Sequence, residues 1–476
     1  MSSRQFNARY VFMLAAVAAL GGLLFGYDWV VIGGAKPFYE RFFGLTSEAQ
    51  IGWANSCALV GCLLGSVAAG AAGDRFGRKR LLIVSAALFA VSSVLTGWAQ
   101  TFSAFVVWRI AGGVAIGMAS NVSPVYIAEI SPAAWRGRMV SLNQLTIVVG
   151  ILAAQLVNLW IARPVPENAT PEFIRASWNG QFGWRWMFTA VAVPSMVFLA
   201  GALMVPESPR WLLTRGLRET ALRTLRRIGG GAYAAEELRQ IGETLHSRED
   251  AGWRELTHPR MLQVLGIGIV LAVLQQWSGI NVIFNYAEEI YRAAGYGVSE
   301  ILFNIVITGA INLVFTLVAL GFVDRVGRRT LMLAGCAGIA LSHFLMGMAY
   351  ARGVSGMTVL VLSLAAIACY SMSLAPVAWV LVAEIFPNRI RGAAVSVAVS
   401  ALWIACFLLT FTFPVLNRAL GTAGTFWLYA AICAAGFLFV FLRVPETKGR
   451  TLEQIEREHF GGPGETAQPF GAARRS

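Results

Sequence analysis

An apolar segment of about 20 residues is long enough to cross the hydrocarbon core of a bilayer as a helix, and only helices and closed barrels can make that crossing. This 476-residue chain holds about twelve such segments. Six lie at roughly 10–33, 50–72, 81–99, 102–128, 138–161 and 184–205. The other six lie at roughly 260–291, 299–322, 330–350, 357–385, 392–416 and 424–443. The expected fold is therefore an all-α membrane protein with 12 transmembrane helices. Hydrophobic residues make up 57% of the chain and charged residues 13%, against about 25% charged in soluble chains. Six cysteines, Cys57, Cys62, Cys336, Cys369, Cys406 and Cys433, all fall inside apolar segments and read as small core residues rather than disulfides or metal ligands.

The net charge of +13 would suit a nucleic-acid binder if the bases shared one surface. They cluster instead in short segments between apolar runs, so no nucleic-acid partner is expected. With the N-terminus placed in the cytoplasm, about 29 of the 38 Lys and Arg fall on that side: Arg4, Arg9, "RFGRKR" (75–80), "WRGR" (135–138), the 206–260 stretch, "DRVGRR" (324–329), "NRIRG" (388–392) and the tail. The positive-inside rule then puts both termini in the cytoplasm.

The chain also repeats itself. "GDRFGRKRLL" from Gly73 matches "VDRVGRRTLM" from Val323, "AEISPAAWRGR" from Ala128 matches "AEIFPNRIRGA" from Ala383, and "PESPR" from Pro206 matches "PETKG" from Pro445. Each element follows the second, fourth or sixth span of its half. Two halves of six helices is the parallel-repeat plan of an alternating-access transporter. The expected organisation is a six-helix bundle over 1–205, a cytoplasmic helical linker over 206–258, a second bundle over 259–443 and a cytoplasmic tail over 444–476. Within the linker, "RETALRTLRRI" and "AAEELRQIGETL" carry helical patterning, separated by the Gly run 229–231. Their charges read as a solvated face.

Two opposite charges stand inside the spans of the first half. Asp28, in "LLFGYDWVVIGG", sits among Leu, Phe, Val and Ile. A carboxylate at bilayer depth costs roughly 2.5–3.5 kcal/mol on the insertion scale. Arg109 is the one base within the fourth span, about 10 Å below its outer end. Asp28 is expected near the outer end of the first span, so the two lie at similar depth, and pairing relieves both. One reading is a static ion pair between helices. The other is a proton switch, in which a protonated Asp28 releases Arg109 and a charged Asp28 pairs again. Arg109 cannot discharge, so it holds Asp28 in its charged form until access to water changes. The remaining intramembrane ionisable group, His343, reads as a packed neutral histidine.

The motifs "GGLLFGYD" (21–28), "GDRFGRKR" (73–80), "YIAEISPAAWRGR" (126–138), "PESPRWL" (206–212), "QQWSGINV" (275–282), "DRVGRR" (324–329), "AEIFPNRIRG" (383–392) and "PETKG" (445–449) together cover nearly the whole chain. The pattern resembles the sugar porter family of the major facilitator superfamily, especially its bacterial proton-linked members. The resemblance implies a secondary transporter importing a monosaccharide with a proton. Proton-linked members are similar in carrying Asp in "FGYD" and Arg in span 4, where passive carriers commonly carry Asn for that Asp.

A sugar offers hydroxyls and flat apolar faces, so its site needs amides and aromatic surface. Candidates are Gln144 in span 5, Gln275, Gln276 and Asn281 in span 7, Asn312 in span 8 and Trp379 in span 10, with Trp403 and Phe25 lining the cavity. Amides can instead bond between helices, and the two aromatics can simply pack. The chain departs from the family's pattern at Asn285 (usually Tyr), Glu288 (often Pro), Leu402 (commonly an amide), Ala375 (usually Gly) and Ile151 (Gln in some proton-linked members). At the cytoplasmic ends, Asp74, Arg75, Arg78, Glu129, Arg136 and Arg138 in the first half, and Asp324, Arg325, Arg328, Glu384, Arg389 and Arg391 in the second, suit charge networks that tie the halves together while the outer side is open. Basic loops would also lie there for topology alone.

A passive facilitator, with Asp28 only structural, is the alternative within transport. A sugar sensor would need a long signalling extension, and about 30 residues follow Pro445. There is no phosphate loop, metal cluster or nucleophile–base pair at a recognisable spacing, so no enzyme and no cofactor are expected. The implied partners are a sugar, a proton and the lipid bilayer of a bacterial inner membrane, with a single chain as the working unit. Pentose, hexose and polyol all fit.

Overall fold

The computed structural model describes residues 6–166, 169–246, 259–354, 356–386 and 391–446. Arg389 and the side chains of Asp324, Glu384 and Arg391 lie outside the described residues. No strand occurs among the described residues. Among the described residues, eleven helices are long and apolar enough to cross a bilayer. The last, Arg391–Arg443, has 53 residues and breaks at Gly421, whose φ of 68° ends one crossing and begins the next. The chain is thus a multi-pass integral membrane protein with twelve spans.

Contacts divide the chain into two compact units. The first comprises Met1–Phe43, Cys57–Arg163 and Pro171–Asp250, and the second Gly44–Ser56, Pro164–Thr170 and Ala251–Ser476. In the first unit, span 1 is Ala8–Phe43, span 2 lies in Glu48–Phe76, span 3 is Arg78–Gly97, span 4 is Phe102–Ile130 and span 5 is Arg136–Ile161. Span 6 is Asn179–Met204 and opens with a π turn over Asn179–Gly183.

Span 1 runs ten residues past its expected end at 33. The charges of Lys36 and Glu40 suggest an exit from the membrane, but the helix keeps them inside. Lys36 is 1% exposed and its Nζ lies 2.9 Å from Glu40 Oε1, one turn on. The pair neutralises itself on the helix, so the backbone need not end. Asp28 consequently sits near the middle of a 36-residue helix, not close to its outer end.

Spans 2 and 4 meet through glycine. A Cβ on Gly113 would lie 1.9 Å from the Ala58 carbonyl oxygen, one on Gly117 2.1 Å from that of Cys62, and one on Gly65 2.2 Å from that of Val114. Small residues four apart let two backbones touch where no hydrophobic force drives helices together. After span 6, the 29-residue helix Arg218–His246 bends at Gly229 and Gly230, the second at φ 79°. Its apolar face, with Ala221, Leu225 and Ile228, is buried in the first unit.

In the second unit, span 7 is Pro259–Trp277 continued by Ile280–Asn285 after a break. Span 8 is Val298–Val326 and span 9 Arg328–Ala351. Span 10 is Met357–Met372 and Leu374–Glu384, interrupted at Ser373. Gly44–Ser56, at the start of span 2, packs with span 11 in this unit: the Trp53 ring stands edge-on to Phe407 and Arg418 Nη1 donates to Glu48 Oε1 at 2.7 Å.

Candidate functional site

The proton-coupling candidates are brought together. Asp28 (4% exposed) from span 1 and Arg109 (3%) from span 4 form an ion pair in which Arg109 Nη1 donates to both carboxylate oxygens at 3.1 Å. Gly112, one turn on from Arg109, lies beside the pair: a Cβ there would make ordinary contact with Asp28 Oδ2 at 3.7 Å and come within a tight 3.2 Å of Ser92 Oγ. The guanidinium lies over the Phe188 ring at 5.3 Å. Arg109 Nε has no hydrogen-bond partner among the described residues. Only one guanidinium nitrogen holds the carboxylate, so this is not the two-point fork of the strongest Arg–carboxylate pairs. Breaking a buried pair by removing one member strands a charge and costs about 3–5 kcal/mol. Protonating Asp28 removes its charge without deleting the side chain.

At the basic end of the first unit, Arg78 is the centre. Its Nε lies 3.1 Å from Glu129 Oε2 and its Nη2 3.1 Å from Asp74 Oδ1. Arg75, Arg136 and Arg138 are exposed; Arg136 Nε donates to the Ala128 carbonyl at 3.1 Å. Sequence reasoning missed Glu207. Its Oε1 accepts from the backbone N–H of Arg78 at 2.9 Å and of Lys79 at 3.1 Å, capping span 3. A carboxylate there satisfies N–H groups that have no helical partner and meets the positive end of the helix dipole. The second unit repeats the device: Glu446 accepts from the N–H of Arg328 at 2.9 Å and of Arg329 at 3.1 Å, capping span 9. The signal was available as the repeated "PE" after spans 6 and 12.

In the second unit the amides of span 7 form a string. Gln276 Nε2 donates to Gln275 Oε1 at 2.7 Å, and Asn281 Nδ2 donates to Gln276 Oε1. All three are less than a tenth exposed. Gln275 also lines a small recess shared with Ala272, Ala378, Trp379, Ala398, Val399 and Leu402. Trp379 is 38% exposed there, an aromatic face beside an amide. Leu402 gives that wall an apolar surface. Trp403, its neighbour, is buried. Asn312 goes elsewhere: it is buried, accepts from Ser371 Oγ at 2.6 Å and does not line the recess. Asn285 is buried and its Oδ1 has no hydrogen-bond partner among the described residues. The buried Glu288 pairs with Arg292. In the first unit, Gln144 and Phe25 are half-buried, and Phe25 meets Trp29 edge-on at 6.2 Å.

Known proteins carry the same plan. The family model "Sugar (and other) transporter" matches residues 14–459. The D-xylose-proton symporter of Escherichia coli (strain K12) is 38% identical, over 95% of this chain and 96% of that protein. The arabinose-proton symporter of Bacillus subtilis (strain 168) is 37% identical, over 96% of each chain. A partially occluded inward open structure of the xylose transporter XylE from E. coli superposes with a TM-score of 0.82 at 36% identity, over 93% of this chain and 100% of that one. Twelve spans in two repeated halves, a buried acid–base pair and these matches agree: the chain belongs to the sugar transporter family of the major facilitator superfamily.

Proposed function

We propose that this protein is a secondary active transporter that imports a monosaccharide together with a proton by alternating access. The observation that carries this reading is the Asp28–Arg109 pair, two charges buried in apolar spans with one able to be discharged by a proton. A neutral Asp28 no longer attracts Arg109, so the load on Asp28 changes which helix arrangement is favoured. Two conformations of unequal affinity for the proton are what couples its gradient to sugar movement. Gln275, Gln276, Asn281 and Trp379 serve as sugar contacts in the second unit. Arg78, Glu129 and Asp74 form the charged network of the basic end. That end faces the cytoplasm of a bacterium, with both termini, and one chain is the working unit.

The test is uptake into proteoliposomes with an imposed pH gradient, over a panel that includes D-xylose, arabinose, glucose and myo-inositol. Expected is accumulation of one class, about tenfold per pH unit for one proton per sugar. Asp28→Asn is expected to abolish accumulation and keep sugar exchange. Wild-type protein that only equilibrates sugar, whatever the gradient, replaces symport with facilitation.

A further inference from the structure

Span 7 breaks between Trp277 and Ile280, inside the amide string. The break has a local cause. Gly279 sits at φ 82°, a conformation open to glycine, and a Cβ there would meet the Tyr429 ring at 2.8 Å. The Val282 N–H turns to the Gly279 carbonyl at 3.2 Å. In a continuous helix that N–H would bond to the carbonyl of Ser278, four residues back. The Ser278 carbonyl has thus lost its helical donor while wholly buried. A buried carbonyl in that state needs a donor from elsewhere.

His343 supplies it. The ring comes from span 9, is 0% exposed, and its Nε2 lies 2.8 Å from the Ser278 carbonyl oxygen. A carbonyl only accepts, so Nε2 carries the proton. Cys433 Sγ, from span 12, reaches the same oxygen at 3.6 Å. Nδ1 has no hydrogen-bond partner among the described residues, and the ring packs against Phe426 and Tyr429 at centroid distances of 5.5 and 6.1 Å. Packing alone would be met by a leucine. The bond to a carbonyl freed by the break would not.

We propose that His343 is a positioning residue for the sugar site: its Nε2–H holds the Ser278 carbonyl and so fixes the angle between the two segments of span 7. Gln275 and Gln276 precede the break and Asn281 follows it, and the bond from Asn281 to Gln276 crosses it. Losing the His343 donor leaves the carbonyl only the weak thiol donor of Cys433 and frees Ile280–Asn285 to swing, pulling Asn281 from its register with Gln276. The hinge part of this inference stands on geometry alone; its consequence for sugar binding rests on the reading of the amides as sugar contacts.

The experiment uses full-length protein in detergent and three variants. His343→Gln keeps a donor at about the reach of Nε2, His343→Asn places it too short, and His343→Leu has none. Hydrogen–deuterium exchange is followed in peptides covering 279–286, and affinity for D-xylose, arabinose, glucose and myo-inositol by tryptophan fluorescence. Expected for Leu and Asn is about tenfold faster exchange at 279–286 and about tenfold weaker sugar binding, with exchange in spans 1–5 unchanged and His343→Gln within about twofold of wild type. If Leu fails to fold, Asn carries the comparison. Wild-type exchange at 279–286 in Leu and Asn, or equally fast exchange in Gln, overturns the positioning role. Fast exchange with unchanged sugar affinity keeps the hinge and instead overturns the assignment of Asn281 and Gln276 to the sugar.

Discussion

At the residue scale, the central fact is that burial sets the cost of each charge. Asp28 and Arg109 share one buried ion pair, so the two single deletions should not add. Arg109→Leu strands the carboxylate and is expected to lower stability by about 3–5 kcal/mol, whereas the double variant Arg109→Leu with Asp28→Asn should recover most of that loss. Thermal unfolding in detergent reads both. Glu207→Ala removes the acceptor for two backbone N–H groups of span 3 and should cost about 1 kcal/mol by the same measurement. Glu446→Ala should behave alike on span 9, since the same device is repeated there. Asp28 was legible in the sequence because an acid among Leu, Phe and Val has no other excuse. His343 was legible as a packed group, but its donor role was not, because the carbonyl it serves is freed by a backbone turn 65 residues away.

At the element scale, glycine spacing decides how closely spans approach. Gly113→Leu drives a side chain into the Ala58 carbonyl and should fall at the upper end of the roughly 1–3 kcal/mol that overpacking costs, seen as lost folded yield. Gly137→Ala meets nothing within 4 Å and should leave yield and uptake unchanged. The ends of elements were the least legible part. Span 1 was expected to stop at about 33, yet a buried pair one turn apart carries the helix to Phe43. Spans 11 and 12 read as separate runs, and the connection between them is helical except at Gly421.

At the scale of the whole molecule, the distribution of charge predicts a sidedness that labelling can check. In a variant whose six native cysteines are replaced, Gly137→Cys lies in the basic "WRGR" segment and Gln100→Cys between spans 3 and 4; both positions are exposed. A thiol reagent that cannot cross the membrane should label Gln100→Cys in intact cells and Gly137→Cys only after lysis. The opposite pattern would invert the orientation proposed above. The two-unit plan was visible because three short motifs recur in order. The assignment of Gly44–Ser56 to the second unit was not, because it depends on ring and charge contacts with span 11 that no local pattern encodes.

Sequence alone determined the number of spans, their twofold repeat, the family and the two intramembrane charges, because each follows from local properties: run length, motif order and the cost of a charge in hydrocarbon. Tertiary structure decided that the span 7 amides bond in a string with Gln275 lining a recess, that Asn312 turns to Ser371 instead, that Glu207 and Glu446 cap helices, and that His343 meets the Ser278 carbonyl at the break in span 7. Those depend on which unsatisfied backbone and side-chain groups are brought within 3 Å or so of each other. Hydrogen bonding is short-ranged and directional, so it reads only the folded neighbourhood and leaves no periodic mark along the chain.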